Sequence, residues 1–222
     1  MATKQKKTTT PQTGVFEDLE QMLGGMYAYG VPNYELPDPN LMEFYQNLKE
    51  RKFWVGDVTS DSLLISKLIL RYNVLDKDIP VEERKPIKLF IYSYGGDGNA
   101  CLSIIDAMKL SKTPVYTYNM GQSLSAGFLI LISGHKRFCL KNSTALFHSG
   151  SGGAQGTYEA VEAQTKDYRH FIDVTRQIVL DSTKIDLKLL NKKKASEWYI
   201  YADEQKKLGI VDEIVESVDE IL

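Results

Sequence analysis

From Lys52 onward the apolar positions switch repeatedly between a period of two and a period of three to four. Lys52-Phe-Trp-Val55 is a short β-rich run closed by Gly56, and Ser60 or Asp61 then stands where a helix cap belongs, ahead of Leu64, Leu68, Tyr72 and Leu75 at helical spacing. Ile87 to Tyr92 is a second strand-like run, ending in Ser93-Tyr-Gly-Gly-Asp-Gly98. Cys101, Ile104, Ile105 and Met108 follow at i, i+3, i+4 and i+7, which predicts an amphipathic helix with Cys101 in its buried stripe. Val115 to Asn119 reads as a third strand, and Gly121-Gln-Ser-Leu-Ser-Ala-Gly127 leads from it into an apolar helix, Phe128 to Ser133. Two more short strands, Arg137 to Leu140 and Ala145 to His148, precede the glycine-rich Gly150 to Gly156. A long helix from about Tyr158 to Leu180 comes next, with Val161, Tyr168, Phe171, Ile172, Ile178 and Val179 on one face. Strands and helices alternating at this density predict an α/β domain with right-handed crossovers.

The start of the chain breaks the pattern. Residues 1–14 are polar, cationic and free of an apolar stretch, which predicts a disordered tail, no secretory signal and a cytoplasmic protein. Residues 15–43 mix Met22, Met26, Tyr27, Tyr29 and Val31 with Gly and Pro, too apolar for a linker and too broken for a long helix. That mixture suits an extension packed on a partner subunit or on its own domain.

Composition mostly excludes. Among 222 residues, 27 Lys+Arg against 29 Asp+Glu give a net charge of −2, so no global basic field points to nucleic acid. Two cysteines and three histidines without paired spacing make neither a disulfide framework nor a metal site. No apolar run reaches the roughly 18 residues needed to cross a membrane.

The candidate chemistry lies at strand ends. In Ser123-Leu-Ser-Ala-Gly127 small residues two places either side of Ser125 make a nucleophile-elbow pattern, which Ser123 lacks. At a helix start Ser125 would also lie beside unpaired backbone N–H groups and the positive end of the helix dipole, although a serine there serves equally as a plain cap. A serine nucleophile needs a base. His135 sits in a turn before Lys136-Arg137 and His170 about 200° around the long helix from Tyr168, both solvated positions, whereas His148 ends a strand at a glycine-rich loop and is the best base. A satisfied core histidine is the alternative for His148, and a simple turn the alternative for Gly95-Gly96.

Taken together, Leu48-Lys-Glu-Arg51, Ser93-Tyr-Gly-Gly96, Gly121 to Gly127, Ala145-Leu-Phe-His148 with Gly152-Gly-Ala-Gln-Gly156, and Ala202 to Asp212 resemble the ClpP family in order and spacing. These are the proteolytic subunits of ATP-dependent Clp proteases, serine endopeptidases of the ClpP/crotonase fold. The resemblance runs from about Phe44 to Ile221 and implies one protease domain over 44–222. It carries the nucleophile onto Ser125, the base onto His148 and the oxyanion-hole amides onto Gly96 and Ala126. It also implies that Gly152, Gly153, Ala154 and Gln155 hold a substrate polypeptide as an added strand. The long helix resembles the handle joining two heptameric rings, and entry of long substrates then depends on an AAA+ unfoldase. The resemblance implies that ATP is used by that partner and that this chain binds no cofactor, and no Gly-x-x-x-x-Gly-Lys-Ser/Thr run occurs here, in agreement with that division of labour.

Two departures stand out. The N-terminal segment is unlike the short gate of the family, and a gap-free alignment puts the catalytic aspartate at Lys193 inside Asn191-Lys-Lys-Lys194. Loss of that acid in other serine proteases costs roughly 10⁴-fold. Another acceptor, such as Asp181, Asp186, Glu197, a carbonyl or water, would then have to orient His148, or the triad would form only after rearrangement or in a mixed ring with a ClpP paralogue, or the subunit would be catalytically weak. A serine–lysine dyad at Lys193 is a further option, opposed by the hydration of three adjacent lysines. The rival of another class is a noncatalytic structural subunit assembling with an active paralogue. An acyl-CoA enzyme of the related crotonase fold is opposed by the pairing of Ser125 with His148.

Overall fold

The computed structural model describes residues 39–193 and 196–221. The expected tail over 1–14 and most of the extension over 15–43 lie outside the described residues. Helix α1 (Pro39–Glu50) leads to β1 (Lys52–Val55), α2 (Leu63–Leu75), β2 (Ile87–Ser93), α3 (Gly98–Leu110), β3 (Val115–Leu124) and α4 (Ala126–Ile132). Then come β4 (Lys136–Cys139), β5 (Thr144–Phe147), α5 (Tyr158–Ser182), α6 (Leu187–Lys193), β6 (Trp198–Tyr201), α7 (Ala202–Lys207) and β7 (Glu213–Ile214). The mixed α/β architecture expected from the alternating pattern is the one observed.

Strands run in the order β1-β2-β3-β4-β7, all parallel, and β3 has two different neighbours on one side. Its first half pairs with β4, Tyr116 opposite Lys136 to Asn119 opposite Cys139, and its second half with β5, Gln122 opposite Thr144 to Leu124 opposite Leu146. Between the halves the register to β2 slips, and Gly121 supplies the positive φ of 146° at that irregularity. β6 closes the far side of β5 as its antiparallel partner. The segments after β2, β3 and β5 therefore leave the sheet side by side at the carboxyl ends of parallel strands, the place where α/β sheets bind ligands.

The core has two parts. One is aliphatic, with Ile87, Leu89 and Ile91 of β2, Ile104, Ile105 and Met108 of α3 and nearly all of α4 buried. The other is a small aromatic cluster of Phe90, Tyr118 and Phe138, the last two stacked with ring centres 4.6 Å apart. Cys101 lies in the buried stripe as expected, and burial pushes its thiol up to about 12. Among the described residues no group of three His, Cys, Asp or Glu is placed to hold a metal ion, and no helix is long and apolar enough to cross a membrane.

The structure corrects three local expectations. Thr59, not Ser60 or Asp61, caps the turn before α2, accepting a bond from the Asp61 N–H. The buried face of α2 is Ile65, Leu68, Ile69 and Tyr72, while Leu64 and Leu75 are exposed. Leu68 and Tyr72 are buried as expected, but leucines populate both sides of this helix, so spacing alone missed Ile65 and Ile69 and included two exposed leucines. In α5 only Thr175, Ile178 and Val179 are buried, and the expected face splits, since Tyr168 and Phe171 stand clear of the core.

A charged clamp fixes the corner between β1 and α2. Arg51, in the left-handed region at φ 59°, donates through both terminal nitrogens to Asp76 at 2.6 Å. It also donates to the Lys85 carbonyl and lies over the Tyr72 ring. The Asp76 side chain is 1% exposed and accepts a further bond from the Thr113 hydroxyl, so its carboxylate is fully partnered.

Candidate active site

The chain leaves β3 through a turn that only tight packing permits. Ser125 has φ 54° and ψ −115°, a positive φ rare for a residue with a side chain, and it heads α4. Its N–H donates to the Leu146 carbonyl at 3.0 Å, which ties the turn to the end of β5. A Cβ on Gly127 would lie 2.9 Å from the Ser93 Cβ, so glycine there lets α4 press against β2. On the other side, a Cβ on Gly95 would fall 2.6 Å from the Ser125 Cβ. Ser123, the alternative in the same motif, is wholly buried in β3 opposite Ser93 and cannot meet a ligand.

His148 follows β5 directly, and its Nε2 lies 2.7 Å from Ser125 Oγ. The other two histidines are exposed. His135 Nδ1 nonetheless accepts a bond from the Val115 N–H, and His170 borders the cavity described below.

The loop after β2 is held by an edge absent from the sequence expectations. Val58 donates to the Gly95 carbonyl and accepts from the Asp97 N–H, both at 2.7 Å, and Asp57 accepts from the Tyr94 N–H. A Cβ on Gly96, at φ 135°, would collide with the Val58 carbonyl. Among the described residues neither the Gly96 nor the Ala126 N–H donates to another group of the chain. Ala126 is the first residue of α4, where the N–H has no partner within the helix.

Ser125, Ala126, Gly96 and His148 line one cavity of about 810 Å³, together with Gly150 to Ala154 and one face of α5. The glycine-rich segment is exposed, and among the described residues it pairs with no strand. Side chains of α5 hold it instead. Tyr168 donates to the Ser149 carbonyl at 3.4 Å and packs against Gly152, and the Gln164 amide bonds both the N–H and the carbonyl of Gln155. Sequence reading assigned Tyr168 and Phe171 to a packed face, and nothing in the local text singled out Gln164.

The Clp protease family matches residues 41–218. The chain belongs to the Clp protease family. It is 25% identical to "ATP-dependent Clp protease proteolytic subunit 1" of Rhodopirellula baltica, across 88% of this chain and 89% of that protein. It is 29% identical to "ATP-dependent Clp protease proteolytic subunit" of Deinococcus radiodurans, across 78% of this chain and 84% of that one.

In this Clp protease family chain the neighbourhood of Lys193 is cationic and aromatic. Lys193 ends α6 with its Nζ 5.1 Å from the centre of the Trp198 ring, and Trp198 pairs with Phe147, the residue before His148. Among the described residues no carboxylate bonds His148. The three acids considered as substitutes are engaged elsewhere: Asp181 with Gln177, Asp186 with the Leu189 N–H, and Glu197 with the Tyr199 hydroxyl.

Proposed function

We propose that this chain is a serine endopeptidase subunit that cleaves unfolded polypeptides through an acyl-enzyme at Ser125. The observation carrying the reading is the 2.7 Å contact between Ser125 Oγ and His148 Nε2 in the lining of a cavity. With neutral His148 protonated at Nδ1, the serine hydroxyl donates to Nε2. As Oγ attacks the substrate carbonyl, Nε2 takes the hydroxyl proton, and the carbonyl electrons move to oxygen. The Gly96 and Ala126 N–H groups donate to that oxyanion. Collapse breaks the peptide bond, and the imidazolium passes its proton to the departing amine. Water then repeats the sequence on the Ser125 ester, with His148 again as base. A polypeptide lying along Gly152 to Gln155 as an added strand would present its carbonyls in register with little sequence demand.

The relatives are named as ATP-dependent proteolytic subunits. The reading accordingly extends to heptameric rings, stacked as a pair and fed by a separate AAA+ unfoldase, with ATP consumed by that partner. A fluorophosphonate probe is expected to label Ser125, and Ser125→Ala or His148→Ala to remove both labelling and peptide cleavage, a loss of roughly 10⁶ in kcat. Assembled wild-type rings that neither take up the probe nor cleave would sink the reading and leave the noncatalytic structural subunit.

A further inference from the structure

The cavity beside Ser125 is lined by polar groups on one part and by an apolar recess on another, and one ring decides how much recess is left. Leu102 of α3, Leu129 of α4, and Phe171 and Val174 of α5 supply the recess. Phe171 lies directly on Gly98, the first residue of α3 and two residues beyond Gly96. A Cβ built on Gly98 would meet the Phe171 ring carbons at 2.5 and 2.6 Å. The phenyl group is therefore seated on bare backbone, is half-buried and lines the cavity. The pair behaves as a volume exchange: glycine on α3 makes room for an aromatic ring from α5, and the ring occupies space that a substrate side chain would otherwise take.

We propose that Phe171, seated on Gly98, is the specificity-determining residue of the recess, restricting the substrate residue on the acyl side of the scissile bond to small and medium aliphatic side chains. The inference rests on the assignment of Ser125 as nucleophile. The leaving amine must face His148 to receive its proton, which leaves the acyl-side residue with the part of the cavity built from α3, α4 and α5. An apolar recess accepts what fits and discriminates by roughly 10- to 200-fold per methylene-sized difference. A phenyl ring standing in it excludes a second aromatic ring far more strongly than it excludes alanine or valine.

The test compares kcat/KM for a peptide series with Ala, Val, Leu or Phe on the acyl side, in wild type, Phe171→Ala, Phe171→Leu, Gly98→Ala and the Gly98→Ala/Phe171→Ala double variant. Fluorophosphonate labelling of Ser125 reports separately that the nucleophile works. Wild type is expected to favour Ala and Val over Phe by at least tenfold. Phe171→Ala is expected to raise the Phe-to-Ala ratio at least tenfold, with Phe171→Leu intermediate. Gly98→Ala pushes the ring into the recess and lowers cleavage of the Leu peptide, and the double variant regains it. A labelled, cleaving Phe171→Ala or Phe171→Leu enzyme with a Phe-to-Ala ratio within twofold of wild type overturns the proposal and leaves the nucleophile assignment standing. Wild-type protein that takes up no probe overturns both.

Discussion

Ser125 and Gly153 line the same cavity but are held there by different means. The Ser125 turn is enclosed by buried neighbours, with Ser93, Ser123 and Ala126 all inaccessible and a backbone bond from Ser125 to Leu146. Gly153 is exposed, and a Cβ built on it would touch nothing within 4 Å. Its segment is tethered by side chains of one helix, Gln164 and Tyr168. The atoms proposed to react thus sit on a closely packed part of the protein, whereas the strip proposed to receive a polypeptide is adjustable. Preorganisation is worth most where charge develops, and adaptability costs least where only backbone is bound.

The sharpest way to break this contrast is to disturb the rigid side by one methyl group. Gly95→Ala places a Cβ against Ser125 at a φ of 107°. It is expected to lower kcat by about 100-fold or more, with a stability loss of about 1–3 kcal/mol read by urea unfolding. A Gly95→Ala enzyme with wild-type kcat would show the turn to be less constrained than described. On the adjustable side, Gln164→Ala frees the Gln155 backbone. Its expected signature is a several-fold rise in KM for long peptides with kcat within about twofold, and a fall in kcat with KM unchanged would contradict it. The smallest effect is expected at Lys193, whose ammonium rests over Trp198. Lys193→Ala should leave kcat/KM within about threefold, and a loss of 100-fold or more would restore the serine–lysine dyad.

The same division explains what the sequence made legible. The closeness of Ser125 and His148 was readable because their signals are local: small residues around a serine, and a histidine at the junction of a strand with glycines. Cys101 in its stripe was readable for the same reason. Val58 holds the Gly95-Gly96 loop from a segment distant in the chain, and Gln164 and Phe171 reach the cavity from α5, contacts that exist only after these elements have docked. The face of α2 was read only in part, Leu68 and Tyr72 correctly, because Leu64 and Leu75 carry the same hydrophobic signal as the buried Ile65 and Ile69. The short pairing of β6 with β5 leaves little periodicity to detect, and it is this pairing that brings Trp198, and so Lys193, near the end of the histidine strand.

The Arg51–Asp76 clamp has a consequence in acid. The Arg51 guanidinium holds the Asp76 carboxyl below the usual carboxylate range, against the opposing effect of burial. In the unfolded chain that carboxyl returns to about 3.9. Above that value the clamp contributes its full stabilisation, and the contribution falls away as pH drops through the lower folded value. Between the two, unfolding takes up a proton at Asp76, so every acid-driven opening of this corner draws on the proton concentration around it. Arg51→Met should lower the urea midpoint at pH 7, costing about 3–5 kcal/mol, and flatten its decline between pH 5 and 3. An unchanged acid slope would place the proton uptake elsewhere. The corner that starts the sheet is in this sense a proton acceptor kept empty by folding.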